Sequence, residues 1–283
     1  MKPIALARTA AAALVGVLAL GAAGCGGDTD KPSGEEVPHS HTGLPAGDGL
    51  KSSYVGYTIK NLTVPEKAGV PGKLSFQIET FRGKPLLDYI TELTKDMHVY
   101  VVSKDLSVFR HVHPEMAEDG TWTGNLTVPT DGTYRVITEF TARDEGGNGD
   151  QLVLGEERTI GRPGKTVAVP AVSTSATDDG TTVSVVRRPT TGFEKQMELG
   201  FSRDGKPASL GTYLGVYAHV SAFNVKTGAL VHMHPLSSPV TEGKKSVLNF
   251  HINFEAPGDY RMFVQTRVSG VVRTIPITVA VSG

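Results

Sequence analysis

The chain has 283 residues, a formal net charge of −1 at pH 7 and a single cysteine. A charge so close to zero gives no electrostatic basis for binding nucleic acid, and no glycine-rich phosphate loop or dinucleotide fingerprint follows any strand-like run. The length is sufficient for two domains of ordinary size. These features argue against nucleotide-dependent and nucleic-acid-binding functions.

Residues 1–24 are predicted to be an export signal. Lys2 and Arg8 supply the positive region, an apolar stretch follows, and Ala22-Ala23-Gly24 provides small residues before Cys25. This run resembles a bacterial lipobox, in which the cysteine is acylated and becomes the mature N-terminus. Removal of the two basic residues would take the net charge from −1 to −3. The alternative is a signal peptide followed by a coincidental cysteine.

Residues 25–49 are predicted to be a flexible tether, because they are rich in glycine, proline and charge and have little to bury. Within it, His39 and His41 could help to collect a cation or could simply be solvated. No later segment holds the ~18 apolar residues needed to span a bilayer. The sequence therefore predicts a protein anchored by lipid to the extracytoplasmic face of the cell membrane.

One histidine pattern, His-x12-His-x-His-Pro, occurs twice in the chain. Matching flanks, such as Phe81–Pro85 and Phe201–Pro207, show that the pattern belongs to an internal duplication. Two domains are expected, at residues 50–163 and 166–283. Histidine is the most frequent protein ligand of transition metals, so the pattern predicts metal binding. The candidate ligands are His98, His111, His113, His219, His232 and His234.

Both repeats are predicted to be all-β, because short runs rich in Val, Ile, Thr, Tyr and Phe are separated by Gly, Pro or Asp. About seven strands in ~110 residues favour two tandem immunoglobulin-like sandwiches. Leu86–Leu93 is expected to be a loop with one helical turn. The predicted strands are Tyr54–Val64, Leu74–Thr80, His98–Val102, Ser107–Val112, Trp122–Val128, Thr133–Phe140, Leu152–Ile160, Thr182–Arg188, Gln196–Ser202, His219–Phe223, Ala229–Met233, Ser246–Phe254, Asp259–Val268 and Val272–Val281.

A hairpin between the first two histidines of each pattern would bring the ligands together. With Lys104 and Asp105 at the tip of the first hairpin, His98 stands opposite His111, where Cβ atoms are about 4.5–5.5 Å apart. His113 lies two residues further on and faces the same way. All three imidazoles are thus expected at the open end of the hairpin.

The second hairpin predicts the same arrangement, with its tip at residues 225–226 and His219 opposite His232. Val220 and Met233 occupy the other face, which is expected to enter the sandwich core. The histidines would then point outward or toward a neighbouring loop, and Pro235 would end the strand because proline cannot donate to the ladder.

Other residues near the two patterns were weighed as further ligands. Met233 alternates onto the core face and is expected to pack there. Glu115 could complete the first site, but Leu236 stands at that position in the second repeat. His251 is expected to be incidental. The two sites therefore need not be equivalent.

The paired histidine patterns, each closing with a Tyr-Arg strand, resemble a group of bacterial secreted or lipid-anchored envelope proteins associated with heavy metals, copper in particular. The resemblance covers roughly residues 50–283. It implies an immunoglobulin- or cupredoxin-like β fold and extracytoplasmic metal handling.

Three functions are compatible with the sequence. The first is a non-enzymatic protein that sequesters or relays Cu(II), or else zinc. It would be anchored to the membrane by lipid, and its candidate partner is an unidentified envelope metal-handling protein. The second is a structural or adhesive envelope module whose histidines are structural. The third is a hydrolase with a three-histidine metal; against it, no general base is shared by the repeats and small sandwiches offer little concave surface. With ordinary histidine pKa values, metal binding is predicted to weaken as the pH falls through roughly 6 to 5.

Overall fold

The computed structural model describes residues 45–143 and 147–283, except for the side chains of residues 193 and 194. These residues form strands, turns and loops, and none of their segments is a helix able to cross a membrane. The predicted export signal, Cys25, His39, His41 and most of the predicted tether lie outside the described residues. Both repeats belong to one compact unit.

The first repeat is a sandwich of two antiparallel sheets. One sheet has the order β1-β2-β3-β8-β7 and the other β10-β9-β5-β6, with β4 beside β9. Alternate residues of both sheets, such as Phe76 and Trp122 from one and Val99 and Val136 from the other, form a common buried core. The strands are β1 (Ser53–Tyr54), β2 (Tyr57–Thr63), β3 (Gly72–Thr80), β4 (Tyr89–Ile90), β5 (His98–Ser103), β6 (Phe109–Val112), β7 (Glu115–Met116), β8 (Thr121–Leu126), β9 (Gly132–Arg143) and β10 (Gly149–Ile160).

The second repeat is a sandwich with its own core and a matching strand arrangement. Its strands are β11 (Ser175–Asp178), β12 (Thr181–Arg187), β13 (Gly192–Arg203), β14 (Lys206–Pro207), β15 (Leu210–Gly211), β16 (Ala218–Asn224), β17 (Leu230–Met233), β18 (Val240–Glu242), β19 (Lys245–Phe254), β20 (Gly258–Val268) and β21 (Val271–Val281). One sheet has the order β11-β12-β13-β19-β18 with β14 beside β13; the other has the order β15-β20-β16-β17, with β21 also paired to β20. The predicted class, two tandem immunoglobulin-like β-sandwiches, is confirmed.

The two sandwiches meet through the sheets that carry the histidine hairpins. A separate apolar cluster joins them, and within it the rings of Phe109 and Phe263 stack with centroids 4.5 Å apart. Every residue of β5 and of β16 is buried, because one face of each strand enters its own sandwich and the other faces the opposite repeat. The cluster consists of Tyr100, Val102, Leu106, Phe109, Ile137 and Val153 from the first repeat and Phe223, Leu230 and Phe263 from the second.

The register of the first hairpin differs from the prediction by two residues. Tyr100, not His98, stands opposite His111. The turn is wider than predicted because the Ser103 hydroxyl accepts hydrogen bonds from the backbone N–H groups of Ser107 and Val108, at 3.1 and 2.9 Å. A shift of two residues keeps every side chain on its original face. The convergence of the histidines therefore survives the error in register.

The second hairpin shows the same shift. Ser221 stands opposite His232, and the Asn224 side chain accepts hydrogen bonds from the backbone of Lys226 and Thr227. These side-chain bonds to the backbone set the width of the turn. The predicted core face is confirmed: Val220, Ala222 and Met233 are buried in the second sandwich, and Val231 packs partly against it.

Three connecting segments complete the arrangement. Residues 45–49, which the sequence places in the tether, run along β10: the N–H of Ala46 bonds to Gln151 O, and Asp48 O accepts from Leu230 N of the second repeat. Between the repeats, the N–H of Val167 donates to the Asp105 carboxylate at 2.8 Å. Residues 86–93 contain the short strand β4 and a turn, with no helical turn.

Candidate metal centre

The first three histidines converge at the open end of the first hairpin. His98 begins β5, His111 lies in β6, and His113 lies just past its end. The distances from His111 Nε2 to His98 Nδ1 and to His113 Nε2 are both 3.1 Å. All three potential ligand atoms lie within 4.8 Å of one another. We call these residues the first triad.

His219, His232 and His234 form a second triad of the same shape. Their potential ligand atoms also lie within 4.8 Å of one another. The last two rings have centroids 4.4 Å apart, the same separation as the equivalent rings of the first triad. All six predicted ligands thus fall into two groups of three, as the duplicated pattern predicts.

A backbone carbonyl fixes the orientation of the first histidine in each triad. His98 Nε2 is 3.1 Å from Glu92 O, and His219 Nε2 is 2.9 Å from Tyr213 O. Both carbonyls belong to tight turns closed by reciprocal backbone bonds. Because a carbonyl only accepts, each Nε2 carries the hydrogen and each Nδ1 presents its lone pair to the triad.

A side chain from the other repeat fixes the second histidine of each triad. His111 Nδ1 is 2.7 Å from Gln265 Oε1, and the amide nitrogen of Gln265 donates to Thr274, which orients the oxygen toward the imidazole. His232 Nδ1 bonds to the carboxylate of Glu139. In both cases Nδ1 donates, so Nε2 is left with a lone pair.

In the first two histidines of each triad, the inward-facing nitrogens are therefore electron-pair donors. In the first triad, His98 Nδ1 and His111 Nε2 face each other with both protons committed to outer acceptors. In the second, His219 Nδ1 is buried and has no hydrogen-bond partner. Two lone pairs in contact repel unless an electron-pair acceptor lies between them. Three imidazole nitrogens arranged in this way match the donor set of a zinc or copper site.

Burial favours the neutral form of His98, His111, His113 and His219. Desolvation lowers the pKa of His111 well below its usual value, and the neighbouring His113 and His98 lower it further. Desolvation likewise lowers the pKa values of His113 and His219 to about 3. The predicted competition by acid between pH 6 and 5 assumed an unperturbed pKa, which His111, His113 and His219 do not have.

The two triads adjoin across the boundary between the repeats. The ring centroids of His98 and His219 are 6.5 Å apart, and those of His111 and His219 are 5.9 Å apart. Only 3% of His98 and none of His219 is exposed. The histidines do lie off the core of their own sandwich, as predicted, but they are enclosed by the other repeat instead of facing solvent.

A cavity of about 490 Å³ opens beside the second triad. His232, His234 and Glu139 contribute to its wall, together with His251 and Asp48. His251, expected to be incidental, belongs to neither triad but lines this space. The expectation that two small sandwiches would offer little concave surface is wrong, because the cavity forms where residues 45–50 meet the second repeat.

Several other candidates stand apart from the triads. Met233 is buried in the second sandwich core, as expected. Glu115 is exposed on β7, in the sheet that does not carry the hairpin, and belongs to neither group.

Sequence reasoning missed Glu139, Gln265 and Tyr100, which stand behind the imidazoles. Tyr100 OH donates to Glu139 at 2.7 Å and lies 2.9 Å from His232 Nδ1. A signal was present, since Glu139 and Gln265 are the longest polar side chains in buried stretches that otherwise hold apolar residues and threonine. A buried charge in such a stretch requires a partner.

Comparison with known proteins assigns a family and gives distant structural likenesses. The family model described as "Domain of unknown function (DUF8832)" matches residues 52–147 and 175–283, one segment in each repeat. Among curated proteins, none is significantly similar to this chain in sequence.

Three solved structures are similar at low identity. A tetra-tandem repeat from the extending region of a large adhesion protein is 12% identical, with a TM-score of 0.26, and 79% of this chain aligns with 48% of that one. Invasin, a bacterial integrin-binding protein, is 14% identical with a TM-score of 0.21, and 80% of this chain aligns with 38% of that one. A protein of Corynebacterium diphtheriae described as membrane anchored is 11% identical with a TM-score of 0.21, and 81% of this chain aligns with 59% of that one. The chain therefore spans less than two thirds of each of these structures.

Proposed function

The chain belongs to the family described as "Domain of unknown function (DUF8832)", which matches both repeats, and we propose that it binds one transition-metal ion in each of its two histidine triads. The observation that carries this proposal is the commitment of the outer imidazole protons to fixed acceptors. That commitment leaves lone pairs converging inside each triad. A cation would turn their mutual repulsion into coordination.

The donor set favours copper(II), followed by zinc(II). Imidazole suits both ions, and copper(II) binds most nitrogen sites more tightly than other divalent first-row ions. Neither triad contains a carboxylate, and the lack of oxygen ligands disfavours magnesium and calcium. Lowered pKa values keep His111, His113 and His219 neutral at physiological pH, so these ligands need lose no proton before they bind a metal.

The proposed role is sequestration or relay of the metal in the cell envelope, without catalysis. The N-terminal sequence supports an extracytoplasmic location with acylated Cys25 as the anchor. Cys25→Ser is expected to release the protein from the membrane fraction or to block its maturation, measured by fractionation and immunoblotting. Unchanged membrane association of the variant would contradict the anchor.

A structural role of the histidines is the second candidate, and a specific observation favours it. His111 bonds to Gln265 and His232 bonds to Glu139, so the imidazoles already tie the two repeats together without a metal. A structural or adhesive envelope module would need nothing more from them. It would retain its stability when chelators are added, whereas the metal-binding protein would gain stability with metal.

Titration of the soluble fragment 34–283 with copper(II) and zinc(II), in competition with a chelator of known affinity, tests the proposal. We expect two ions per chain and a dissociation constant tighter than about 10 μM, or roughly −7 kcal/mol. The variant with His111, His113, His232 and His234 all changed to Ala is the matched control and should bind none. Absence of binding in the parent fragment would leave the structural role.

A further inference from the structure

Glu139 and Gln265 occupy the same place in the two repeats. Each lies in the strand next to the first histidine of its own triad: Glu139 stands opposite His98, and Gln265 opposite His219. Each, however, bonds to the second histidine of the other triad, so the outer support of the two triads is exchanged. The duplication therefore preserved the geometry of this contact while its chemistry changed.

The chemical change is from an amide to a carboxylate. Gln265 offers His111 a neutral oxygen. Glu139 offers His232 a carboxylate that is 6% exposed and is itself held by the hydroxyl of Tyr100. A charged acceptor makes a stronger hydrogen bond than a neutral one. Such a bond at one imidazole nitrogen increases the basicity of the other, which is the nitrogen that meets the metal.

We propose that Glu139 and Gln265 are positioning residues exchanged between the repeats, and that they make the two sites unequal: the second triad binds metal more tightly and fills first. This inference rests on the proposed function, because it concerns the affinities of the same triads. The geometry also requires the repeats to be docked, since each triad takes its outer support from the other repeat.

Within residues 45–143 and 147–283, no other ionised group bonds to either second histidine in a way that would offset this difference. Among the described residues, the hydrogen-bond partners of the His111 side chain are the imidazoles of its own triad and Gln265, and the uncharged ring of Tyr100 lies beside it. His232 contacts the hydroxyl of Tyr100 in addition to the carboxylate. In the second repeat, the position equivalent to Tyr100 is Ser221. The carboxylate is therefore the main difference between the two outer shells.

The test compares the sites one at a time in fragment 34–283. His111→Ala with His113→Ala leaves only the second triad, and His232→Ala with His234→Ala leaves only the first. Zinc(II) is titrated against a chromophoric chelator, and cobalt(II) absorption reports the ligand field. We expect the second triad alone to bind zinc at least tenfold more tightly than the first alone.

Reciprocal substitutions identify the cause. Glu139→Gln should weaken zinc binding by the second triad by about ten- to a hundredfold, and Gln265→Glu should strengthen binding by the first. A role limited to folding could not produce the second result, and circular dichroism melts monitor folding of each variant. Tyr100→Phe, which keeps the carboxylate and the ring, should weaken the second triad by less than Glu139→Gln does.

Equal affinities of the isolated triads, or a Gln265→Glu variant no tighter than its parent, would overturn the inference while leaving metal binding intact. Failure of both isolated triads to bind zinc or cobalt would overturn the proposed function and this inference with it. Equal weakening of both triads by Glu139→Gln would assign Glu139 a general structural role and also reject the inference.

Discussion

The two triads hold their ligands in nearly the same way but differ in what lies behind them. The rings of the second and third histidines are 4.4 Å apart in both, and a backbone carbonyl orients the first histidine in both. Behind the second histidine, one triad has Gln265 and the other Glu139. The ligands are set by a local hairpin, whereas the outer partners come from the opposite repeat. The outer shell can therefore diverge without disturbing the ligand geometry.

The largest expected effect is the loss of one site without the other. His111→Ala with His113→Ala should reduce the metal stoichiometry from two to one by removing the first triad. His232→Ala with His234→Ala should do the same for the second. Equilibrium dialysis with metal analysis measures the stoichiometry, and His251→Ala, a change at an exposed residue of neither triad, is the control that should keep two ions.

The same two double variants should also differ in their free energy of unfolding. Removing His111 leaves the buried amide of Gln265 without its partner, at a cost of about 1–3 kcal/mol. Removing His232 leaves the buried Glu139 carboxylate with one partner fewer, at a higher cost because the stranded group is charged. Urea unfolding of the metal-free proteins should therefore show a larger loss for the second pair. Equal losses, or full stoichiometry in both, would count against the assignment.

The sequence accounts for the ligands better than for their surroundings. The convergence of His98, His111 and His113 follows from strand alternation, and it tolerates the error of two residues in register because the error is even. That error arose in the turn, where the Ser103 hydroxyl accepts hydrogen bonds from two backbone N–H groups and widens the loop. Counting residues outward from an assumed tip does not take such side-chain bonds into account.

Enclosure by the other repeat was the feature that sequence reasoning did not predict. Val102 and the ring of Tyr100 share the histidine face of β5, and large hydrophobic groups on both faces are typical of a strand buried on both sides. The sequence therefore shows that both faces of β5 are covered, but it does not show which surface covers the face that carries the histidines. Long-range pairing of Gln265 with His111 is not encoded in any local pattern.

The contact between the two repeats can be tested by separating them. Fragments 50–163 and 166–283 each contain a complete core, so each should give β-type circular dichroism and a cooperative melt. Separation exposes the cluster around Phe109 and Phe263, and each fragment should therefore melt at a lower temperature than the two-repeat protein. Two unfolded fragments would show that the halves depend on one shared core.

A point substitution isolates the same contact in the intact chain. Phe263→Ala removes the ring that stacks on Phe109 and should cost about 3–5 kcal/mol. It should also weaken zinc binding, because the outer partners of both triads cross this boundary. Phe250→Ala, in the core of the second sandwich, should cost similar stability without changing zinc affinity of the folded protein. If the two variants bind zinc with the same affinity, metal binding does not depend on the contact between the repeats.

The smallest expected effect is the acid sensitivity of the metal-free protein. The folded pKa of His219 is about 3 because of desolvation, against about 6.5 in an unfolded chain. The unfolded state therefore takes up protons first, and stability falls as the pH drops below about 6.5 and continues to fall toward 3. For His219 alone the loss at pH 5 is about 2 kcal/mol.

His113, whose pKa is also lowered to about 3 by desolvation, offers the cleanest check of this linkage. His113→Ala removes one depressed group, so the plot of unfolding free energy against pH should be less steep between pH 6.5 and 4 than for the parent. Glu139 acts in the same direction: burial opposes its ionisation, but His232 and Tyr100 lower the pKa to about 2, so its contribution is also lost in acid. If His113→Ala has the parent's slope, proton exclusion by the first triad is not what makes the metal-free protein sensitive to acid.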